Sequence, residues 1–166
     1  AALIKAKRLS KTAAAEAAPA EETAQTDTTP TEKSLNQKVA EALAKKFSGS
    51  IDSEDVNEYI QLNGKNWFEI AQYLKDNPDL LFDSLQCITG FDFGEGEALE
   101  VRYNLHSMTH YHAIEIRIKT DRNDPKVPSV EQVWRIGDWF ERETYDMYGI
   151  VFEGHHNMTR ILCPED

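Results

Sequence analysis

Glu141, Arg142, Glu143 and Asp146 crowd four ionisable side chains into a short run, with Tyr145 and Tyr148 interleaved. Paired carboxylates are the raw material of general acid/base catalysis. Nothing beside them supplies the nucleophile, apolar pocket or oxyanion donors that would complete such a site. On a solvated helix face, an Arg142/Asp146 pair at i,i+4 would contribute only roughly 0.2–0.5 kcal/mol. Charged and aromatic side chains interleaved over so short a span fit a protein docking surface better than either alternative.

His106, His110 and His112 form the densest histidine cluster. Metal ligation needs a third convergent donor and an oriented outer shell, and no carboxylate stands at matching spacing on that face. His110 and His112 are therefore expected to bridge an apolar face to solvent or a partner. His155-His156, after Gly154, reads as a turn pair before a ligand pair, a reading that tight stoichiometric zinc binding would overturn. The stretch from Gly94 to Leu99 begins like a dinucleotide loop, but it lacks the third glycine and leads into a strand. A hairpin turn is the better reading.

The elements that must position these residues follow from periodicity. Ser34 and Gln37 have capping-box spacing ahead of Leu35, Val39, Leu43 and Phe47, which predicts a helix ended by Ser48-Gly49. Alternation predicts a strand over 55–62, turned by Asn63-Gly64. Asn66 and Glu69 should cap a second helix with Trp67, Ile70, Ala71 and Leu74 inside, stopped by Asn77-Pro78. A short apolar strand is expected over 80–89. Next, Leu99, Val101, Tyr103 and Leu105 alternate with polar residues, as do Ile114, Ile116 and Ile118, predicting an antiparallel pair with both apolar sets on one side. Ser129 and Gln132 suggest another capping box before Val130, Val133, Trp134 and Ile136. Asp138 and Glu141 restart a helix that Gly149 ends at positive φ. The fold class is α+β, with helices packed on one face of a mixed or antiparallel sheet of about four strands.

The chain has 166 residues and a formal net charge of -11, with 18 Lys+Arg against 29 Asp+Glu. Residues 1–33 are Ala-rich and poor in large apolar side chains, so they read as a disordered extension or linker. Their five basic and five acidic groups cancel, which leaves the whole negative charge on 34–166. That sign argues against nucleic acid or an anionic membrane surface as a partner. No apolar run approaches the roughly 20 residues of a membrane-spanning helix. The opening lacks the apolar core of a secretory signal. Cys87 and Cys163 form neither a disulfide framework nor a cluster ligand set, which points to a reducing compartment.

The run from Glu141 to Leu162 closely resembles the signature of the thirty-kilodalton subunit of proton-translocating NADH:quinone oxidoreductase (respiratory complex I). The matching residues are Glu141, Arg142, Glu143, Asp146, Gly149, Ile150, Phe152, Gly154, His155, Arg160, Ile161 and Leu162. The 134–139 approach and His110-Tyr111-His112 add to the resemblance, which covers most of 34–166. His156 stands where the family usually has proline, and the chain stops before the family's usual C-terminal extension. The resemblance implies a non-catalytic peripheral-arm subunit that docks the large quinone-site subunit and neighbouring peripheral-arm subunits. It also implies no cofactor in this chain, with flavin and iron-sulfur clusters held by partner subunits. The implied location is the cytoplasmic face of the cell membrane, or the matrix or stromal face in an organelle, reached only through the complex. Docking would fall to Glu141, Arg142, Glu143 and Asp146 through charge-assisted hydrogen bonds, with Tyr145 and Tyr148 as anchors. Gly149, Gly154, His155 and Arg160 complete the segment. Two other readings remain: the equivalent module of a membrane-bound hydrogenase, and a histidine-metal enzyme.

Overall fold

Residues 34–52, 56–94 and 96–163 are described by the computed structural model. The expectations for 1–33, and for Asp55 and Glu95, lie outside these residues. Helix α1 (Leu35–Lys46) starts at the expected capping box: the Ser34 side chain accepts from Gln37 N, and the Gln37 side chain accepts from Ser34 N. It buries Val39, Ala40 and Leu43. Helix α2 (Trp67–Asp76) buries the four predicted residues, Trp67, Ile70, Ala71 and Leu74. Asn66 precedes it without a side-chain cap, because a 3-10 turn over Gly64–Asn66 leads directly into the helix.

Strand β1 (Ile60–Asn63), β2 (Ser84–Asp92), β3 (Leu99–Ser107) and β4 (His112–Thr120) form one sheet in the order β1-β4-β3-β2. The β3–β4 pairing is antiparallel, with Val101 opposite Ile118, Tyr103 opposite Ile116 and Leu105 opposite Ile114. The predicted apolar sets therefore share one face. β2 pairs antiparallel with β3, and β1 pairs parallel with β4, so the sheet is mixed. A register shift between Leu85 and Cys87 sets Ile88 opposite Tyr103 and Gly90 opposite Val101.

Helices α2 and α3 pack onto the sheet. The Trp67 ring of α2 lies 4.6 Å from the Tyr103 ring. Helix α3 (Gly137–Tyr148) rests on β2, with the Tyr148 ring directly over Gly90. One continuous core results, from Val39 of α1 through the sheet to Ile150 and Phe152.

Three predicted elements differ. The strand expected over 55–62 is confined to Ile60–Asn63, where Ile60, Gln61 and Leu62 are all buried instead of alternating. Gln61 tolerates this because its Nε2 donates to Arg117 O at 3.1 Å. The strand expected over 80–89 begins only at Ser84. Leu80 and Phe82 are buried in the preceding loop, held by Phe82 N donating to Leu74 O at 3.0 Å and Trp134 Nε1 donating to Phe82 O at 2.9 Å. The capping box at Ser129 starts no helix: residues 131–133 and 135–136 form turns, and α3 begins at Gly137. A small parallel pair, β5 (Lys126–Pro128) and β6 (Val151–Glu153), brackets this segment.

Candidate docking segment and its histidine–carboxylate cluster

Helix α3 is fixed by a buried carboxyl group. Glu141 is fully buried, and its carboxylate accepts from Ser129 Oγ at 2.6 Å and from Val130 N at 2.7 Å. Ser129 Oγ thus ties the turn to α3 while accepting from Glu131 N at 3.3 Å within the turn. Burial pushes the Glu141 carboxyl up from 4.5 to about 7, against those two hydrogen bonds and with help from the nearby Glu131 and Asp138 charges. At its other end α3 stops at Gly149, whose φ of 71° is left-handed and whose N–H donates to Tyr145 O at 2.8 Å.

Arg142 and Asp146 do not pair with each other. Arg142 Nε donates to Thr159 O at 3.0 Å and its guanidinium reaches Thr159 Oγ1 at 2.9 Å. Asp146 Oδ1 accepts from Arg160 Nε at 2.6 Å, while Oδ2 accepts from Ile161 N, Leu162 N and Cys163 N at 3.2, 2.7 and 2.8 Å. The Arg160 guanidinium and these backbone N–H groups hold the Asp146 carboxyl well below the usual carboxylate range. Both residues thus strap the C-terminal arm, 157–163, along α3. Of the other predicted docking residues, Glu143 is exposed and Tyr145 half-buried. Tyr148 is 40% exposed despite its seat on Gly90. Trp139, Met147 and Leu162, which spacing did not single out as anchors, are also exposed.

Gly154, with φ of 88°, turns the chain so that His155 enters a carboxylate cluster. The His155 ring is buried, with Nε2 3.3 Å from Asp138 Oδ1, 3.4 Å from Glu131 Oε2 and 4.0 Å from Glu141 Oε2. Asn157 N donates to His155 Nδ1 at 3.0 Å, which places the neutral ring's proton on Nε2. His156 contacts Glu131 twice, through its backbone N at 2.8 Å and through Nδ1 at 2.6 Å. Burial pushes the Glu131 carboxyl up, but the His156 hydrogen bonds and the two histidine charges outweigh it and hold it below its ordinary value. The turn pair seen in the sequence is therefore half of a four-residue cluster. Glu131 and Asp138 gave no signal because they meet the histidines only through tertiary folding.

Two of the three histidines around the β3–β4 turn bind backbone. His110 Nε2 is 2.9 Å from Pro78 O and His112 Nε2 is 2.8 Å from Leu80 O, so each donates to a carbonyl and ties the turn to the loop after α2. Gly94 and Gly96 both have positive φ, as a hairpin connection requires, and Arg122 bridges Asp92 to this connection through Glu97 O at 2.7 Å.

The mixed sheet, its helices and the arm strapped to α3 define an α+β module, and sequence comparison places it. The chain belongs to the family described as respiratory-chain NADH dehydrogenase, 30 Kd subunit, which matches residues 60–166. It is 36% identical over 143 residues to an NADH-quinone oxidoreductase subunit of Chlorobium phaeobacteroides, covering 80% of this chain and 86% of that protein. It is 40% identical over 129 residues to the equivalent subunit of Chloroherpeton thalassium, covering 75% of this chain but 53% of the relative. This chain thus spans only about half the length of some of the relatives it matches. A solved trypsin-resistant fragment of Nqo5 superposes with a TM-score of 0.57 at 28% identity, covering 74% of this chain and 98% of the fragment. Among the described residues, no helix is long and apolar enough to cross a membrane.

Proposed function

We propose that this chain acts as a non-catalytic peripheral-arm subunit of an NADH:quinone oxidoreductase, docking the large quinone-site subunit and supporting NADH-to-quinone electron transfer coupled to proton translocation. The observation that carries this reading is the family match over 60–166, which takes in all of α3 and its arm. The names of the relatives support membership of such an assembly. The flavin and iron-sulfur clusters then belong to partner subunits, and the isolated chain is inactive. It reaches the membrane only through the complex, at the cytoplasmic, matrix or stromal face.

The geometry refines how docking works. Glu141, Arg142, Asp146 and Arg160 are occupied within the chain, so they present the surface by fixing α3 and the arm. The contacts then fall to exposed Trp139, Glu143, Met147, Tyr148 and Leu162, with aromatic side chains as anchors. Affinity purification from membranes at low salt, with NADH:quinone activity assayed in the eluate, tests this. Recovery of flavin and iron-sulfur subunits, active only as an assembly, is the expected result. A nickel-containing large subunit would instead assign the chain to a hydrogenase assembly, and activity in the isolated chain would refute the non-catalytic role.

A further inference from the structure

We propose that Glu131, Asp138 and His156 form a binding site for a divalent transition-metal ion, where the 131–133 turn, the first turn of α3 and the 155–157 segment meet. The candidate donor atoms of Glu131, Asp138, His155 and His156 all lie within 4.8 Å of one another. Donors around a tetrahedral ion at about 2.0–2.2 Å sit about 3.5 Å apart, so modest side-chain adjustment closes the set. Asp138 Oδ1 is buried without a hydrogen-bond partner in the structure. A buried carboxylate oxygen in that condition is costly unless a cation or donor meets it. A cleft of ≈ 310 Å³, lined by Glu131, Gln132, Arg135, Asp138 and His156, opens onto the same atoms and provides the entry path.

The mixed donor set selects the ion. One imidazole nitrogen with two carboxylates suits zinc, cobalt or manganese, whereas magnesium prefers oxygen and water alone. His156 Nδ1 would exchange its proton for the metal, releasing it to solvent. His155 takes the supporting part: its Nδ1 accepts from Asn157 N, so Nε2 keeps its proton and donates it to the Asp138 backbone carbonyl at 3.4 Å, which leaves Asp138 Oδ1 for the ion. The ion would clamp the entry to the arm against the base of α3. The site is independent of the assembly role, since all its donors lie within this chain.

The test uses the full chain after chelator treatment. Cobalt(II) absorbance and zinc calorimetry should show one saturable site of micromolar or tighter affinity, with zinc raising the melting temperature. His156→Ala and Asp138→Asn should each weaken zinc binding at least about tenfold, by analogy with other ligand-shell losses. The His156 side chain is 64% exposed, so its removal leaves packing intact but gives up the bond to Glu131 Oε2, and zinc affinity measured on the folded variant is therefore the deciding readout. Absence of saturable binding, unchanged affinity in both variants, or magnesium competing equally with zinc would overturn the proposal.

Discussion

Gly90→Ala should displace α3, and the size of the effect follows from one contact. A Cβ at Gly90 would sit 2.5 Å from Tyr148 Cδ2, 2.9 Å from Cγ and 3.0 Å from Cε2. Ordinary carbon–carbon contacts are about 3.5–4.0 Å, so the ring must retreat by about 1 Å. Because Cγ is the near end of the side chain, rotation about χ2 cannot relieve the clash. Either χ1 leaves its well or α3 lifts from β2. Overpacking of this kind costs about 1–3 kcal/mol, partly offset by the about 0.5–1 kcal/mol that alanine gains over glycine inside a strand. The net expectation is a destabilisation of about 1–2 kcal/mol, or on the order of 5 °C in melting temperature for a domain of this size. In a Tyr148→Ala background the clash is gone, and Gly90→Ala should become neutral or stabilising. Urea denaturation of the two single variants and the double variant closes a cycle with a coupling of about 2 kcal/mol. Equal effects of Gly90→Ala in both backgrounds, or a stabilised single variant, would refute the placement of α3 on Gly90.

Glu141 predicts a distinct pH response. Its folded value of about 7 lies above the unfolded 4.5, so the unfolded state loses its proton first as pH rises. No penalty exists below pH 4.5; stability then falls through the window to pH 7 and levels off, by about 3 kcal/mol in all. Glu141→Gln should remove that slope, and wild-type and variant curves running parallel from pH 4 to 8 would contradict it. Asp146→Asn should free the arm while leaving the sheet intact, seen as faster hydrogen exchange and proteolytic cleavage confined to 157–163. Protection unchanged there would disprove the strap. Trp139 is 57% exposed, so Trp139→Ala should leave stability within about 0.5 kcal/mol. As an interface anchor its loss should lower affinity for the partner by about 2 kcal/mol or more, a factor of roughly 30. Undiminished recovery of the complex would remove it from the interface.

The elements legible in advance were those whose signal is local. The β3–β4 register could be read from alternation because a slip of one residue would turn Tyr103 and Ile116 to the wrong face. The same holds for α1, where Ser34 and Gln37 are three residues apart and satisfy each other, and for Gly149, which only needs freedom at positive φ. The charged run and its family resemblance were likewise visible as types and spacing, well before any geometry.

Where a residue has two partners to choose from, spacing misleads. Ser129 looked like a helix cap but donates to Glu141, twelve positions along the chain. Leu80 and Phe82 looked like strand but lie in a loop, where Leu80 N donates to Asn77 O and Phe82 is bonded to Leu74 and Trp134. Arg142 and Asp146 stand at ideal pairing distance on one helix, yet each turns to the returning arm, where Asp146 gains a guanidinium and three backbone N–H groups in place of one exposed pair. The histidine doublet and Glu131 are 25 positions apart and become neighbours only when α3 is laid on β2 and Gly154 reverses the chain. Periodicity constrains which face is buried because the hydrophobic effect acts on every residue alike. Hydrogen bonds and charges are directional and short-ranged, so their partners are chosen only once packing has brought the segments together.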